Sequence, residues 1–265
     1  MSAAARSQHA EPILSARGIV NCFGKQRVHD KVDLDVEAGE VLGIAGGSGS
    51  GKSVLLKTLI GLHRPDSGKV LIEGKPIEAI SADEKAALIG VLFQQGALFS
   101  SLSVAQNVML PMREYTDLPV SEQEKIAAVK IELTGLSADS AMKFPAQLSG
   151  GMVKRAALAR ALALDPRMLF LDEPTSDLDP LTAGGIDELI MQLNRGLGLT
   201  VVIVTHDLTT LLTVCDRVAV LVEGKITVGT VDQLARSHDP WIREFLHGPR
   251  AQGAMNARKS NHGIR

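Results

Sequence analysis

Val41-Leu-Gly-Ile-Ala-Gly-Gly-Ser-Gly-Ser-Gly-Lys-Ser53 decides the fold. Its first five residues form an apolar run of the length of a strand buried on both faces. Gly46 to Ser53 fit GxxxxGK[ST]. From Lys52 to about Leu62 the pattern predicts an apolar helix. Strand, glycine loop and helix together are the context of a phosphate-binding loop. Gly46, Gly47, Gly49 and Gly51, with Ser48 and Ser50, let successive backbone N–H groups turn inward as an anion nest. The helix points its positive end at the same place. Lys52 reaches the β- and γ-phosphates of a nucleotide as a point charge, and Ser53 supplies a hydroxyl to Mg²⁺.

Further along, Met168-Leu-Phe-Leu171 is an apolar strand ending in Asp172 and Glu173. Ligands in open α/β sheets collect at the carboxyl ends of the strands. Asp172 is therefore placed to hold the Mg²⁺ shell, and Glu173 to act as general base on water. His206 follows the strand Thr200–Val204 and reaches the same edge. Gln94 closes the strand Leu88–Phe93. Leu148-Ser-Gly-Gly-Met152 precedes a helix, Gly151–Ala163, that carries Lys154, Arg155 and Arg160. Ser149, Gly150 and Gly151 sit where a helix N-terminus offers free N–H donors, a second phosphate-binding element in one chain.

Around these motifs, Ile13–Val20, Val28–Val36, Lys69–Ile72, Val218–Val222 and Lys225–Val228 read as strands, and Leu181–Arg195 as a helix. Strands alternating with helices imply an α/β fold with a parallel sheet covered on both faces. From about residue 100 to 162 helical patterns dominate, punctuated by Pro111, Pro119 and Pro145, with a helix start at Ser121-Glu-Gln-Glu124. Residues 1–12 and the basic stretch 249–265 read as tails around an ordered core at 13–248. The N-terminus has no apolar region of the secretory type, and no stretch reads as a transmembrane helix.

The 265 residues carry 28 Lys+Arg against 30 Asp+Glu, a formal charge of −2. That balance lacks the basic excess of a nucleic-acid binder. Aromatic residues are 3%, so the core must be aliphatic and a base-stacking platform is not expected. Cys22 and Cys215 form no metal-spaced set and read as two buried small side chains.

In order and type these motifs resemble the ATP-binding subunit of ABC transporters over about residues 13–248. The Walker A loop corresponds to Gly46–Ser53 with Val54 following, the Q-loop to Gln94, and the signature to Leu148–Met152. Walker B corresponds to Met168–Asp172 with Glu173, the D-loop to Ser176–Asp179, and the H-loop to His206. The resemblance implies an α/β P-loop NTPase of ABC type, with a mixed, mainly parallel sheet core, an antiparallel β subdomain and a helical insert. It implies ATP and Mg²⁺ as ligands. Phe23 would stack on adenine, Gln94 would join Ser53 and Asp172 at the metal, and Gln94 and Asp179 would join Glu173 and His206 in catalysis. It further implies a head-to-tail dimer of two copies, each ATP lying between the Walker A of one and Ser149, Gly150 and Gly151 of the other. The sequence departs from the pattern at Met152, where Gln is usual, at Asp177, where Gly or Ala is common, and at Phe23, which replaces Tyr.

Met152 points to one group. Leu-Ser-Gly-Gly-Met152 followed by Lys154-Arg-Ala-Ala-Leu-Ala-Arg160 is similar to the ATPases of MCE-type phospholipid transporters, the maintenance-of-lipid-asymmetry and toluene-tolerance systems. Phe93–Phe99, Asn107–Glu114 and Asp239–Gly248 agree with the same group. That resemblance implies an integral permease, an MCE-domain protein and often a small STAS-domain subunit as partners, at the cytoplasmic face of a bacterial inner membrane. A cassette serving another solute importer or exporter would have an identical nucleotide site. A DNA-repair or ribosomal ATPase would carry coiled-coil inserts or two cassettes, and a scaffold without turnover would not need Glu173 and His206.

Overall fold

The computed structural model describes residues 11–248. Among these, β1 (Leu14–Phe23) and β2 (Gln26–Val36) form a hairpin, and β3 (Val41–Gly46) leads through the glycine loop into α1 (Lys52–Leu59). There follow β4 (Ser67–Ile72), β5 (Lys75–Pro76), α2 (Ala82–Leu88) and β6 (Ile89–Leu92). The helical stretch is α3 (Val104–Tyr115), α4 (Val120–Leu133) and α5 (Gly150–Ala161). The chain then alternates through β7 (Met168–Asp172), α6 (Pro180–Leu197), β8 (Thr200–Val204), α7 (Leu208–Thr213), β9 (Arg217–Val222), β10 (Lys225–Gly229), α8 (Val231–Leu234) and α9 (Pro240–His247). The tails expected at 1–12 and 249–265 lie outside the described residues, apart from Glu11 and Pro12.

The central sheet has the order β10-β9-β3-β8-β7-β6, parallel throughout except for β10. Its register levels the carboxyl ends: Ile44 and Asp172 both pair with Val204, and Leu171 pairs with Leu92. Alternation along the buried strands then sorts side chains to two faces. Val41, Ala45, Leu169, Leu171, Val201 and Ile203 pack with α5, α6 and α7. Leu42, Ile44, Phe170, Val202 and Val204 pack with Leu55, Leu56 and Leu59 of α1 and with the antiparallel sheet β2-β1-β4-β5. The core is aliphatic, as the aromatic content requires.

A third cluster joins Val104, Val108 and Met112 of α3 to Ala127 and Ile131 of α4. Ala156 and Ala159 of α5 complete it, while Ala157 and Leu158 of the same helix face the central sheet. Small side chains let α5 serve both bodies at close range.

Three local expectations are corrected. Pro111 does not punctuate the chain, because α3 runs through it. An interior proline costs about 3 kcal/mol. Burial of Val108 and Met112, and a buried Asn107 amide donating to the carbonyls of Leu102 and Ser103, hold the helix regardless. Pro119 caps α4 and Pro145 opens a 3₁₀ turn, as expected of punctuation. Of the two free cysteines only Cys215 is buried, and Cys22 is half-buried. The helix after the glycine loop stops at Leu59, earlier than its apolar pattern predicts.

One buried carboxyl links α6 to α7. Both oxygens of Asp187 lie 3.0 Å from the Thr210 hydroxyl, which has a single proton to give. Burial pushes the Asp187 pKa from 3.8 up to about 7, the Thr210 hydroxyl opposing and the Asp207 charge assisting. The unfolded carboxyl loses its proton near the ordinary value, so the folded state binds more protons between the two. Stability therefore falls as pH rises across that window, by up to about 1.4 kcal/mol per pH unit. Asp187→Asn keeps an acceptor for Thr210 and is expected to flatten this decline in urea midpoints measured between about pH 5 and 7. A parallel decline in both proteins would place the titration elsewhere.

Candidate nucleotide site

The glycine loop is forced into its shape from below. Gly51 has φ 101°, and a Cβ there would lie 2.3 Å from Val28 Cγ1 and 2.8 Å from His29 Nε2. Only glycine tolerates both the angle and the approach. His29 is fully buried beneath the loop and accepts at Nδ1 from the Asn21 amide (2.9 Å), which also donates to Thr58 Oγ1 (3.0 Å). Thr58 in turn donates to the carbonyl of Val54 in the first turn of α1. With Nδ1 accepting, the ring proton sits on Nε2, and burial lowers the pKa, keeping the ring neutral.

Lys52 folds back so that Nζ donates to the carbonyls of Gly46 (3.0 Å) and Gly47 (2.9 Å). Burial lowers its pKa, and the charges of Glu173 and Asp172 oppose the shift. Ser53 Oγ donates to Asp172 Oδ1 at 3.3 Å. Burial raises the Asp172 pKa, the Ser53 hydroxyl opposes, and the neighbouring charge of Glu173 adds to the rise. A hydroxyl and a carboxylate oxygen converging at the start of α1 are hard donors of the kind that suits Mg²⁺. Gln94 stands at the same edge with its side chain exposed.

Glu173 has φ 50°, outside the strand that precedes it. Its N–H donates to the Val204 carbonyl at 2.8 Å. Oε2 accepts from Thr205 Oγ1 (3.2 Å), and Oε1 lies 2.8 Å from His206 Nδ1. A carboxylate only accepts, so Nδ1 carries the proton of that pair. Glu173 and His206 line a cavity of about 790 Å³ together with Glu244 and Phe245 of α9.

The predicted second phosphate element takes shape at α5. Ser149 is its N-cap, its hydroxyl accepting from the Met152 N–H at 3.3 Å. A Cβ on Gly151 would lie 2.5 Å from Thr182 Cγ2, which explains that glycine by close packing against α6. Ser149 and Gly150 are exposed. Asp179 caps α6, accepting from the N–H groups of Leu181 and Thr182 at 3.1 Å; the Thr182 side chain first, and then these bonds, lower its pKa. Phe23 ends β1, half exposed, stacked on His63 with centroids 5.7 Å apart. Thus Lys52, Ser53, Asp172, Glu173 and His206 form one contiguous group. Phe23 lies on the antiparallel sheet, and Ser149 with Gly150 faces outward.

Sequence reasoning did not assign three residues that shape the site. Thr205 orients Glu173. Trp241 of α9 stacks on Phe245 and brings Nε1 to 3.9 Å from where a Cβ on Gly47 would stand. Lys154 is buried and donates to the carbonyl of Gln94, to the carbonyl of Glu173 and to Ser176 Oγ. The other two cations of α5 are likewise turned onto carbonyls, Arg155 on Thr134 and Arg160 on Gly96 and Ala97. For Lys154 the available signal was its helical spacing from buried Gly151 and Leu158.

Residues 29–176 match the ABC transporter family, from the strand beneath the glycine loop to the turn after Glu173. The probable ribonucleotide transport ATP-binding protein mkl of Mycobacterium leprae is 44% identical over 241 residues, covering 89% of this chain and 69% of that protein. The intermembrane phospholipid transport system ATP-binding protein MlaF of Escherichia coli is 38% identical over 245 residues, covering 91% of each. A dimeric ATP-binding cassette in a post-hydrolysis state bound to ADP and Pi superposes with TM-score 0.74 at 32% identity, over 82% of this chain and 98% of that one. A component of the cbiONQ ABC transporter complex of Clostridium perfringens gives TM-score 0.77 at 31% identity, over 93% and 100%. With the phosphate loop, the carboxylate strand and the histidine edge arranged as described and these likenesses spanning most of its length, the chain belongs to the ABC transporter family, among its ATP-hydrolysing cassette subunits.

Proposed function

We propose that the chain is the ATPase of a membrane complex that moves phospholipid between the inner membrane and the periplasm or outer membrane through an MCE-type permease. The observation that carries this is the likeness to MlaF, which extends over 91% of both chains. The MlaF of Haemophilus influenzae supports it at 40% identity, over 85% of this chain and 86% of that protein. The mkl proteins are longer than the match, which weakens a ribonucleotide cargo as the guide. No helix among the described residues is long and apolar enough to cross a membrane, and in this reading a permease provides the path. The groove between β6 and α3, lined by Val91, Phe93, Phe99, Leu110 and Tyr115, suits an apolar segment of such a partner. An MCE-domain protein and a STAS-domain subunit complete the assembly on the cytoplasmic side of the inner membrane. No nucleic acid takes part.

In this reading residues 13–248 are the cassette, with the helical part at about 100–162 inside it. Gly46 to Ser53 and Val54 hold the phosphates, with Lys52 released from the Gly46 and Gly47 carbonyls to reach the β- and γ-oxygens. Ser53, Asp172 and Gln94 hold Mg²⁺, which when bound neutralises charge on the β- and γ-phosphates. Phe23 stacks on adenine. Glu173 takes a proton from water as its oxygen attacks the γ-phosphorus and the bond to the β-phosphate oxygen breaks. His206 orients Glu173 through Nδ1–H. Two copies pair head to tail, so that Ser149, Gly150 and Gly151 of one, with Asp179 nearby, close on the ATP of the other. The exposure of Ser149 and Gly150 in the single chain supports that arrangement.

Lys52→Ala removes the ammonium held at the loop carbonyls and is expected to weaken ATP binding and abolish turnover. Wild-type hydrolysis by that variant would exclude the loop as the phosphate site. Glu173→Gln is expected to bind ATP, lose about 100-fold or more in kcat, and accumulate as an ATP-bound dimer by light scattering. Capture of the full chain from its native membrane in mild detergent tests the cargo. A permease, an MCE-domain protein and phospholipid are expected by mass spectrometry, and a permease with a solute-binding protein would refute it.

A further inference from the structure

Lys154 is a buried cation for which the proposed mechanism has no use. It lies on α5, about one and a half turns inward from the N-cap Ser149, and is 6% exposed. Its ammonium has three N–H donors, and three acceptors surround it: the Gln94 carbonyl, the Glu173 carbonyl at 3.0 Å and Ser176 Oγ at 3.2 Å. Ser176 Oγ passes its own proton to the same Glu173 carbonyl at 2.9 Å. The three acceptors come from two loops, the ones following β6 and β7. Burial lowers the Lys154 pKa, and the charges of Asp177, Glu173 and Asp172 oppose the shift. A cation held there for packing alone would be disfavoured against an apolar side chain of the same length.

The position of Glu173 makes the tie consequential. Its left-handed backbone costs about 1–2 kcal/mol for a residue with a Cβ and persists only if neighbours fix it. Lys154 and Ser176 fix its carbonyl, while Val204 fixes its N–H. The helix that supplies Lys154 also supplies, at its exposed end, Ser149 and Gly150.

We infer that Lys154 is a positioning residue that ties the setting of Glu173 to the placement of α5, so that engagement of the partner copy's ATP by Ser149 aligns the general base in the same chain. This rests on the proposed roles of Glu173 and Ser149. A rigid-body shift of α5 on meeting the partner's nucleotide moves Nζ, and through it the Glu173 carbonyl and the Gln94 loop together. The two ATP sites of a dimer are then coupled through each chain's own α5.

The test is ATP hydrolysis by the full-length protein in its membrane assembly, for wild type, Lys154→Met, Lys154→Arg, Ser176→Ala and Glu173→Gln. Lys154→Met is expected to lose about tenfold or more in kcat, with KM for ATP within about threefold and the thermal midpoint retained. Its Hill coefficient for ATP, bounded by the two sites, is expected to fall toward one. Lys154→Arg, which keeps the charge and the donors, is expected to recover most of kcat, and Ser176→Ala to fall between. Wild-type kcat and cooperativity in Lys154→Met, beside an inactive Glu173→Gln, would overturn the tie. So would a lowered thermal midpoint in Lys154→Met together with unchanged kcat and Hill coefficient in a well-folded Ser176→Ala, which would make Lys154 structural. Turnover by Glu173→Gln would instead overturn the underlying reading of the base.

Discussion

Parallel pairing of β3, β8, β7 and β6 in level register is the constraint on which the rest depends. Each of these strands ends at one height, and each end delivers one part of the site: Gly46 from β3, Asp172 and Glu173 from β7, Thr205 and His206 from β8, Gln94 from β6. A one-residue slip of β7 would send Leu169 and Leu171 to the opposite face and Phe170 into the wrong core. The hydrophobic sorting that stabilises the sheet therefore also sets the distance from Ser53 to Asp172. Packing and chemistry share a single register, and neither can drift without the other.

α5 carries the second constraint. It packs on the central sheet through Ala157 and Leu158 and on α3 and α4 through Ala156 and Ala159. A larger side chain at Ala156, Ala157 or Ala159 would push the two bodies apart. Its cations end on carbonyls of the loops after β6, after α4 and after β7. Those carbonyls lie outside regular ladders and need donors. A charged donor on a rigid helix satisfies them more strongly than a neutral one would. The loops after β6, α4 and β7 are thus tied to one helix in addition to their own turn bonds.

Much of this was legible from residues. The phosphate loop, the Asp172–Glu173 pair and the His206 edge follow from apolar runs of strand length broken by glycine or acid. The short helices α7, α8 and α9 were not, because four to eight residues show too little periodicity, although Asp207, Thr230 and Asp239 cap them. Pro111 reads as a breaker because local propensity counts the lost hydrogen bond and cannot count tertiary burial of Val108 and Met112. Lys154 reads only as one of three cations on its helix, since composition does not reveal two loop carbonyls and a hydroxyl converging on its ammonium. The position of Trp241 against the glycine loop depends on where α9 returns, which no local pattern encodes.

Glu173 shows how such dispersed contacts become function. Its carboxylate is held by Thr205 and His206 from the β8 edge, its N–H by Val204, and its carbonyl by α5 and Ser176. Each contact taken singly contributes about 1 kcal/mol, no more than the cost of the backbone conformation it supports. The conformation survives because elements distant in sequence agree on it. A residue so over-determined cannot shift by small degrees when one element moves, and it is either set or unset. In the proposed role of Glu173 as base, that all-or-none character suits a transport ATPase, since hydrolysis before the elements agree would consume nucleotide without moving cargo.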